Sequence, residues 1–168
     1  DLSKMKTLDT QGWSEDDMWK HIEKNQATTA KLQERLYAAD KNSVLLVFQA
    51  MDAGGKDSTI KCITKYVNPA GVTVASFKAP SDNEKDRDFL HRIHMQVPKK
   101  GNIGIFNRSH YEDVIIARAR KLATLDTIEK RYTDINAFEE YLTNQGVHII
   151  KFMLHISPEY QYKRFEHR

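Results

Sequence analysis

The residues best suited to chemistry lie in one run, Ala50 to Thr59, reading AMDAGGKDST. Gly54 and Gly55 let backbone N–H groups come close to a phosphate, and Lys56 brings a cation to the start of a helix. The usual phosphate-binding loop reads Gly, four residues, then Gly-Lys-Ser/Thr. Here Ala50 replaces the first Gly, Asp57 follows the Lys, and a second acid, Asp52, sits inside the loop. A bare carboxylate beside phosphate oxygens is costly in a partly buried site. It becomes favourable with a divalent cation between them, and Mg2+ is commonly held by one or two carboxylates plus phosphates. Ser58 and Thr59 are turned from the usual hydroxyl position by about 100° and 200°. Asp52 is therefore the expected metal ligand, against the plainer reading of a turn residue or helix cap. The rest of the loop, Ala53, Gly54, Gly55, Lys56, Asp57 and Ser58, is expected to wrap the phosphate.

A second constellation is GIFNRSHYEDV at 104–114. A strand ending in a polar residue matches the second metal-site strand of phosphate-loop enzymes, where an Asp usually stands. Asn107 occupies that place and holds metal weakly. Glu112 or Asp113, one helical turn later, supplies the missing charge in this reading. Glu112 is equally the fourth residue of a capping box, SHYE. Arg108 needs an anion, and a transferring phosphoryl group suits its planar guanidinium. Lys78, in SFKAP at 76–80, follows a strand and is either a phosphate ligand or a solvated lysine. Arg164 and Arg168 are four apart on one helical face, fitting a polyanion track or a solvated face equally. His91, His94, His110 and His155 have no metal-ligand spacing with Cys62, so no zinc site is expected.

Alternating elements must position these groups. Residues 1–13 read as an arm, and 14–40 as a helix capped by Ser14, with Met18, Ile22, Thr29, Leu32 and Leu36 inward. VLLVF at 44–48 suits a central parallel strand buried on both faces. A helix follows the Gly pair as far as Asn68-Pro69. Strands are expected at 72–77, 103–106 and 147–156. Helices are expected from the SDNE capping box at 81–84 to Pro98, from 109 to about 121, from about 126 to 144, and after Ser157-Pro158. Strand and helix in repeated alternation imply an open parallel α/β sheet, with ligands at the carboxyl ends of the strands. The loops after Phe48, Phe77, Phe106 and Ile156 then share one functional edge.

Bulk properties set wider bounds. A length of 168 residues suits one domain, 1–168, with an N-terminal arm and helix ahead of an α/β core at 44–168. A net charge of +3 argues against a nucleic-acid binder. The single cysteine precludes an internal disulfide and fits a reducing compartment. No apolar run is long enough to span a bilayer, and the first residues lack a signal-peptide core. A cytoplasmic location and no membrane partner are expected.

QAMDAGGKDSTIK, VNPAGVTVASFKAP, DFLHRIHMQVPKKGNIGIFNRSHYEDV and SPEYQYKRFEHR together resemble the polyphosphate kinase 2 family, most closely its class III members. The resemblance implies a three-layer α/β sandwich of the P-loop nucleoside triphosphate hydrolase/kinase type. It implies phosphoryl transfer between inorganic polyphosphate and AMP, ADP or ATP, with Mg2+, or Mn2+ in its place. It carries phosphate binding to Lys56, Lys78, Arg108, Arg164 and Arg168, and metal binding to Asp52, with Glu112 or Asp113 secondary. Ala50 departs from the Gly of many members. Homodimers or homotetramers are expected by the same resemblance. The family chain continues past a helix like 157–168 into a lid and a further strand, so both are expected to be missing here. Two rival readings are an ATP-dependent nucleoside monophosphate kinase and a phosphate-binding fragment with little turnover.

Overall fold

A computed structural model describes residues 4–8, 10 and 12–167 of the chain. Four strands, β1 (Ser43–Ala50), β2 (Val72–Ser76), β3 (Ile103–Asn107) and β4 (Val147–Leu154), form one sheet in the order β2-β3-β1-β4. Every pairing is parallel, with Val44 opposite Ile103 and His148. β1 is central, as its unbroken apolar run requires: alternate residues enter opposite faces of the sheet. Leu45 and Val47 pack with Phe77, Ile93, Phe106 and Leu142 on one side. Phe48 packs with Ile60 and Ile105 on the other.

Helices cover both faces, giving three layers. On the first face lie α4 (His91–His94), α5 (Glu112–Ala119) and α6 (Leu125–Asn144), the last two joined through Val114, Ile128 and Ile135. On the second lies α2 (Lys56–Ile63), with α1 (Glu15–Ala39) outside it. The short α3 (Asp82–Lys85) and α7 (Pro158–Glu166) stand beyond the carboxyl ends of β2 and β4. Because the strands are parallel, all four carboxyl ends meet at one edge, as the alternation implied. No helix among the described residues is long and apolar enough to cross a membrane.

Several expected elements change in extent. The helix from Ser81 to Pro98 breaks in two. Its capping box forms, with Ser81 N donating to Glu84 Oε2 at 2.7 Å. Asp88 Oδ1 then accepts from Leu90 N at 3.0 Å, a local bond that competes with helix continuation. α2 stops at Ile63 rather than near Val67, where Thr64 Oγ1 donates back to Ile60 O at 2.8 Å. The SHYE capping box does not form: Ser109 Oγ accepts from Tyr111 N at 3.2 Å, and α5 begins only at Glu112.

The inner face of α1 also differs from its leucine stripe. Thr29 and Leu32 are exposed, and the most buried side chains are Gln26 and Gln33. Gln26 Nε2 donates to Cys62 O at 2.7 Å, while Gln33 Oε1 accepts from Asn68 N at 3.2 Å. Amides that bond a backbone carbonyl near the end of α2 and a backbone N–H in the segment after it hold this helix, an arrangement hydrophobic periodicity does not register.

Candidate active site

The loop between β1 and α2 takes its shape from two left-handed residues. Ala53 has φ of 61° and Gly55 has φ of 89°. Gly55 is the N-cap of α2 and offers no side-chain cap, so the first N–H groups of the helix face outward with the positive end of the dipole. Gly54 is required for a different reason. A Cβ there would lie 2.6 Å from Ala50 Cβ and 2.7 Å from Met51 O. Lys56 opens α2, and its ammonium folds back to donate to Ala50 O at 3.3 Å. Burial and then the Arg108 charge lower the Lys56 pKa, against opposing pulls from Asp52, Glu112 and Asp57.

Arg108 follows directly from the end of β3. Its backbone is left-handed at φ 66°, and its N–H donates across to Phe48 O at 3.2 Å. Such a conformation costs a non-glycine residue about 1–2 kcal/mol and persists where surrounding bonds fix it. The turn aims Arg108 over the loop, where Nη2 donates to Asp52 Oδ1 at 3.4 Å. Both side chains are substantially exposed, so this pair adds little stability and yields readily to an incoming anion.

Two motif positions have exchanged their chemistry. The usual loop has a hydroxyl after its Lys and a carboxylate at the end of the second strand. Here the carboxylate is Asp57 and the strand-end residue is Asn107. Asn107 Nδ2 donates to Asp57 Oδ1 at 2.6 Å. A carboxylate and an amide thus replace a hydroxyl and a carboxylate at neighbouring positions. The sequence shows both departures, but their direct contact emerges only from the packing of β3 against β1.

These groups line one cleft of about 490 Å3. The loop from Asp52 to Ser58 lines it throughout, together with Lys78, Arg108 and Arg164. Four basic side chains face two acids, a balance suited to a polyanion. α7 holds Arg164 above the loop: its Nη1 is 3.7 Å from where a Cβ on Gly55 would lie, and the guanidinium rests 5.7 Å from the Tyr160 ring centroid. Gln161 on the same helix donates to Asp52 O at 2.7 Å. Arg168 lies outside the described residues.

Of the two secondary acids, neither lines the cleft. Glu112 is near enough to act electrostatically on Lys56. Asp113 instead pairs with Arg92, Nη2 to Oδ2 at 3.4 Å. Among the described residues no group of three or more His, Cys, Asp or Glu is arranged to hold a metal. Asp52 and Asp57 leave a site of one or two carboxylates, which fits Mg2+ completed by substrate phosphates and water.

Sequence reasoning passed over the support behind Arg108. His110 is buried, and its Nε2 donates to Glu139 Oε1 at 3.1 Å. Tyr111 Oη donates to the same oxygen at 2.8 Å, and Lys151 Nζ donates to Glu139 Oε2 at 2.6 Å. Burial alone would raise the Glu139 pKa. Hydrogen bonds from His110, Lys151 and Tyr111 outweigh it and hold the pKa at about 2. Glu139 thereby anchors the residues next to Arg108 to α6 and β4. Its traces in the sequence are the polar His110-Tyr111 pair and Lys151, a lone charge in the apolar run VHIIKFMLHI.

A family model described as polyphosphate kinase 2 matches residues 12–168. The AMP/ADP-polyphosphate phosphotransferase of Meiothermus ruber is 52% identical over 138 residues, covering 82% of this chain and 52% of that protein. The ADP-polyphosphate phosphotransferase of Rhodopseudomonas palustris is 42% identical over 146 residues, covering 80% of this chain and 50% of that one. The crystal structure of polyphosphate kinase 2 from Arthrobacter aurescens TC1 superposes with a TM-score of 0.95 at 40% identity, over 99% of this chain and 61% of that one. The chain thus spans about half the length of these curated relatives.

Proposed function

The chain belongs to the polyphosphate kinase 2 family, and we propose that its protein transfers the terminal phosphoryl group of inorganic polyphosphate to AMP and to ADP, with Mg2+. The observation that carries this reading is the cleft itself, where Lys56, Lys78, Arg108 and Arg164 surround a loop bearing Asp52 and Asp57. A highly charged substrate meets four cations at once, and a divalent cation carried with it offsets the two acids. Asp52 would hold the metal, with Asp57 on the same side of the loop. Bound there, the metal would supply neutralisation of charge on the phosphate oxygens.

The chain's own residues do the rest. The N–H groups at the start of α2 cradle the donor phosphate. Lys56 and Arg108 stabilise charge on the transferring group, and Lys78 and Arg164 hold the phosphates beyond it. The acceptor is a nucleotide phosphate whose oxygen is already ionised. Little proton transfer is needed, so the rate comes from alignment and electrostatics. Assembly as a dimer or tetramer and a cytoplasmic location belong to the same reading.

The test is nucleotide chromatography of the intact protein with Mg2+, long-chain polyphosphate and AMP, without ATP. ADP followed by ATP is expected. Asp52→Asn and Lys56→Ala are each expected to nearly abolish transfer while circular dichroism stays unchanged. Product formed only when ATP replaces polyphosphate would overturn the donor assignment, and normal turnover in either variant would overturn the site.

A further inference from the structure

We propose that Arg92, which does not line the cleft, is a positioning residue that sets Lys78 at its rim. This rests on the reading of Lys78 as a phosphate ligand. Lys78 sits in the loop after β2, an edge strand that ends at Ser76, so the sheet ladder does not fix its backbone. Arg92 supplies that restraint. Its Nη1 donates to Lys78 O at 2.8 Å, and its Nη2 donates to Asp113 Oδ2 at 3.4 Å. The guanidinium lies over the Phe77 ring, 5.6 Å from the centroid, and the side chain is only 10% exposed.

One planar group therefore ties three parts of the fold together. α4 carries it, α5 holds it through Asp113, and the Lys78 loop hangs from its other edge. Asp113 is itself fixed, since its carbonyl accepts from Arg131 Nη1 at 2.7 Å. The break of the helix after Asp86 places Arg92 on the short α4, beneath this loop. Hydrogen bonds from an ionised donor are the stronger kind, and the donor side chain itself is largely buried. Their effect is to restrict the Lys78 backbone before substrate arrives, so binding loses less freedom. Lysine at 92 would keep a cation beside Asp113 but lacks the planar fork that holds both partners.

The experiment is a double-mutant cycle on the intact protein, with Arg92→Lys, Lys78→Ala and the pair. Inorganic tripolyphosphate affinity is read by calorimetry, and KM and kcat for polyphosphate by product formation. Arg92→Lys is expected to weaken tripolyphosphate and raise KM five- to tenfold, with kcat little changed and the melting temperature nearly kept. In the Lys78→Ala background it is expected to add no further loss. An equal loss in both backgrounds, no loss in either, or no tripolyphosphate binding by the wild type would overturn the proposal. If Arg92→Lys misfolds, Asp113→Ala runs the same cycle, because it removes the acceptor that ties the guanidinium to α5 and leaves the bond to Lys78. Wild-type protein that binds tripolyphosphate but makes no nucleotide product would refute the proposed function, while the binding cycle still decides the role of Arg92.

Discussion

Replacing Glu139 by Gln tests whether the acid behind Arg108 is the electrostatic anchor that its three donors indicate. The Glu139 pKa stands at about 2, against an ordinary value of 4.5. At 1.36 kcal/mol per unit, the difference corresponds to about 3 kcal/mol of folding stability at neutral pH. The sign follows from linkage. A depressed carboxylate pKa adds stability that is complete above the unfolded pKa and lost as pH falls through the folded one. The window here runs from roughly pH 4.5 down to pH 2. The side chain is only 12% exposed, so solvent screening is limited. Glu139→Gln is thus expected to cost about 3 kcal/mol at pH 7, or roughly 6–12 °C in Tm for a domain of this size. The assay is denaturant unfolding of both proteins from pH 7 to pH 2.5, following the difference between them. That difference is expected to shrink steadily below pH 4.5. A gap under about 1 kcal/mol at pH 7, or one that stays constant as pH falls, would refute the anchor.

Three further outcomes follow from the cleft. Gly54→Ala is expected to lower tripolyphosphate affinity about tenfold or more, because its Cβ would strike Ala50 Cβ and Met51 O and displace the loop; calorimetry reads it. Asn107→Asp would place a second carboxylate against Asp57 in place of the 2.6 Å donor. It is expected to destabilise the metal-free fold by about 1–3 kcal/mol at pH 7, with recovery on acidification or on adding Mg2+ in thermal melts. The lowered Lys56 pKa means its charge is present below that pKa and lost as pH rises through it. Tripolyphosphate affinity should therefore start to fall at a pH below that expected for a lysine at 10.5, and Arg108→Gln should move this alkaline limb upward.

What the sequence by itself determined is whatever neighbouring residues settle among themselves. An apolar run of branched residues makes a two-sided strand wherever it sits, so β1 was legible. A Gly pair and a Lys after a buried strand mark a tight turn into a helix through local backbone geometry, so the loop between β1 and α2 was legible too. Parallel alternation then brought Lys78 and Arg108 to the loop's edge, since each follows a strand. The tertiary structure alone decided which of several plausible partners each charge would take. Asp113 was as good a metal candidate as Glu112 along the chain, until α4 brought Arg92 to it from 21 residues away. Asp57 and Asn107 are 50 residues apart, and Gln161 reaches Asp52 across 109. Their pairing depends on the register of β3 against β1 and on the placement of α7. Periodicity registers which face of an element is buried, but not whether an amide or a leucine fills it, and so Gln26 and Gln33 were missed. Burial is a property of a pattern, whereas a hydrogen bond is a property of two particular atoms, and only the packed chain brings those atoms together.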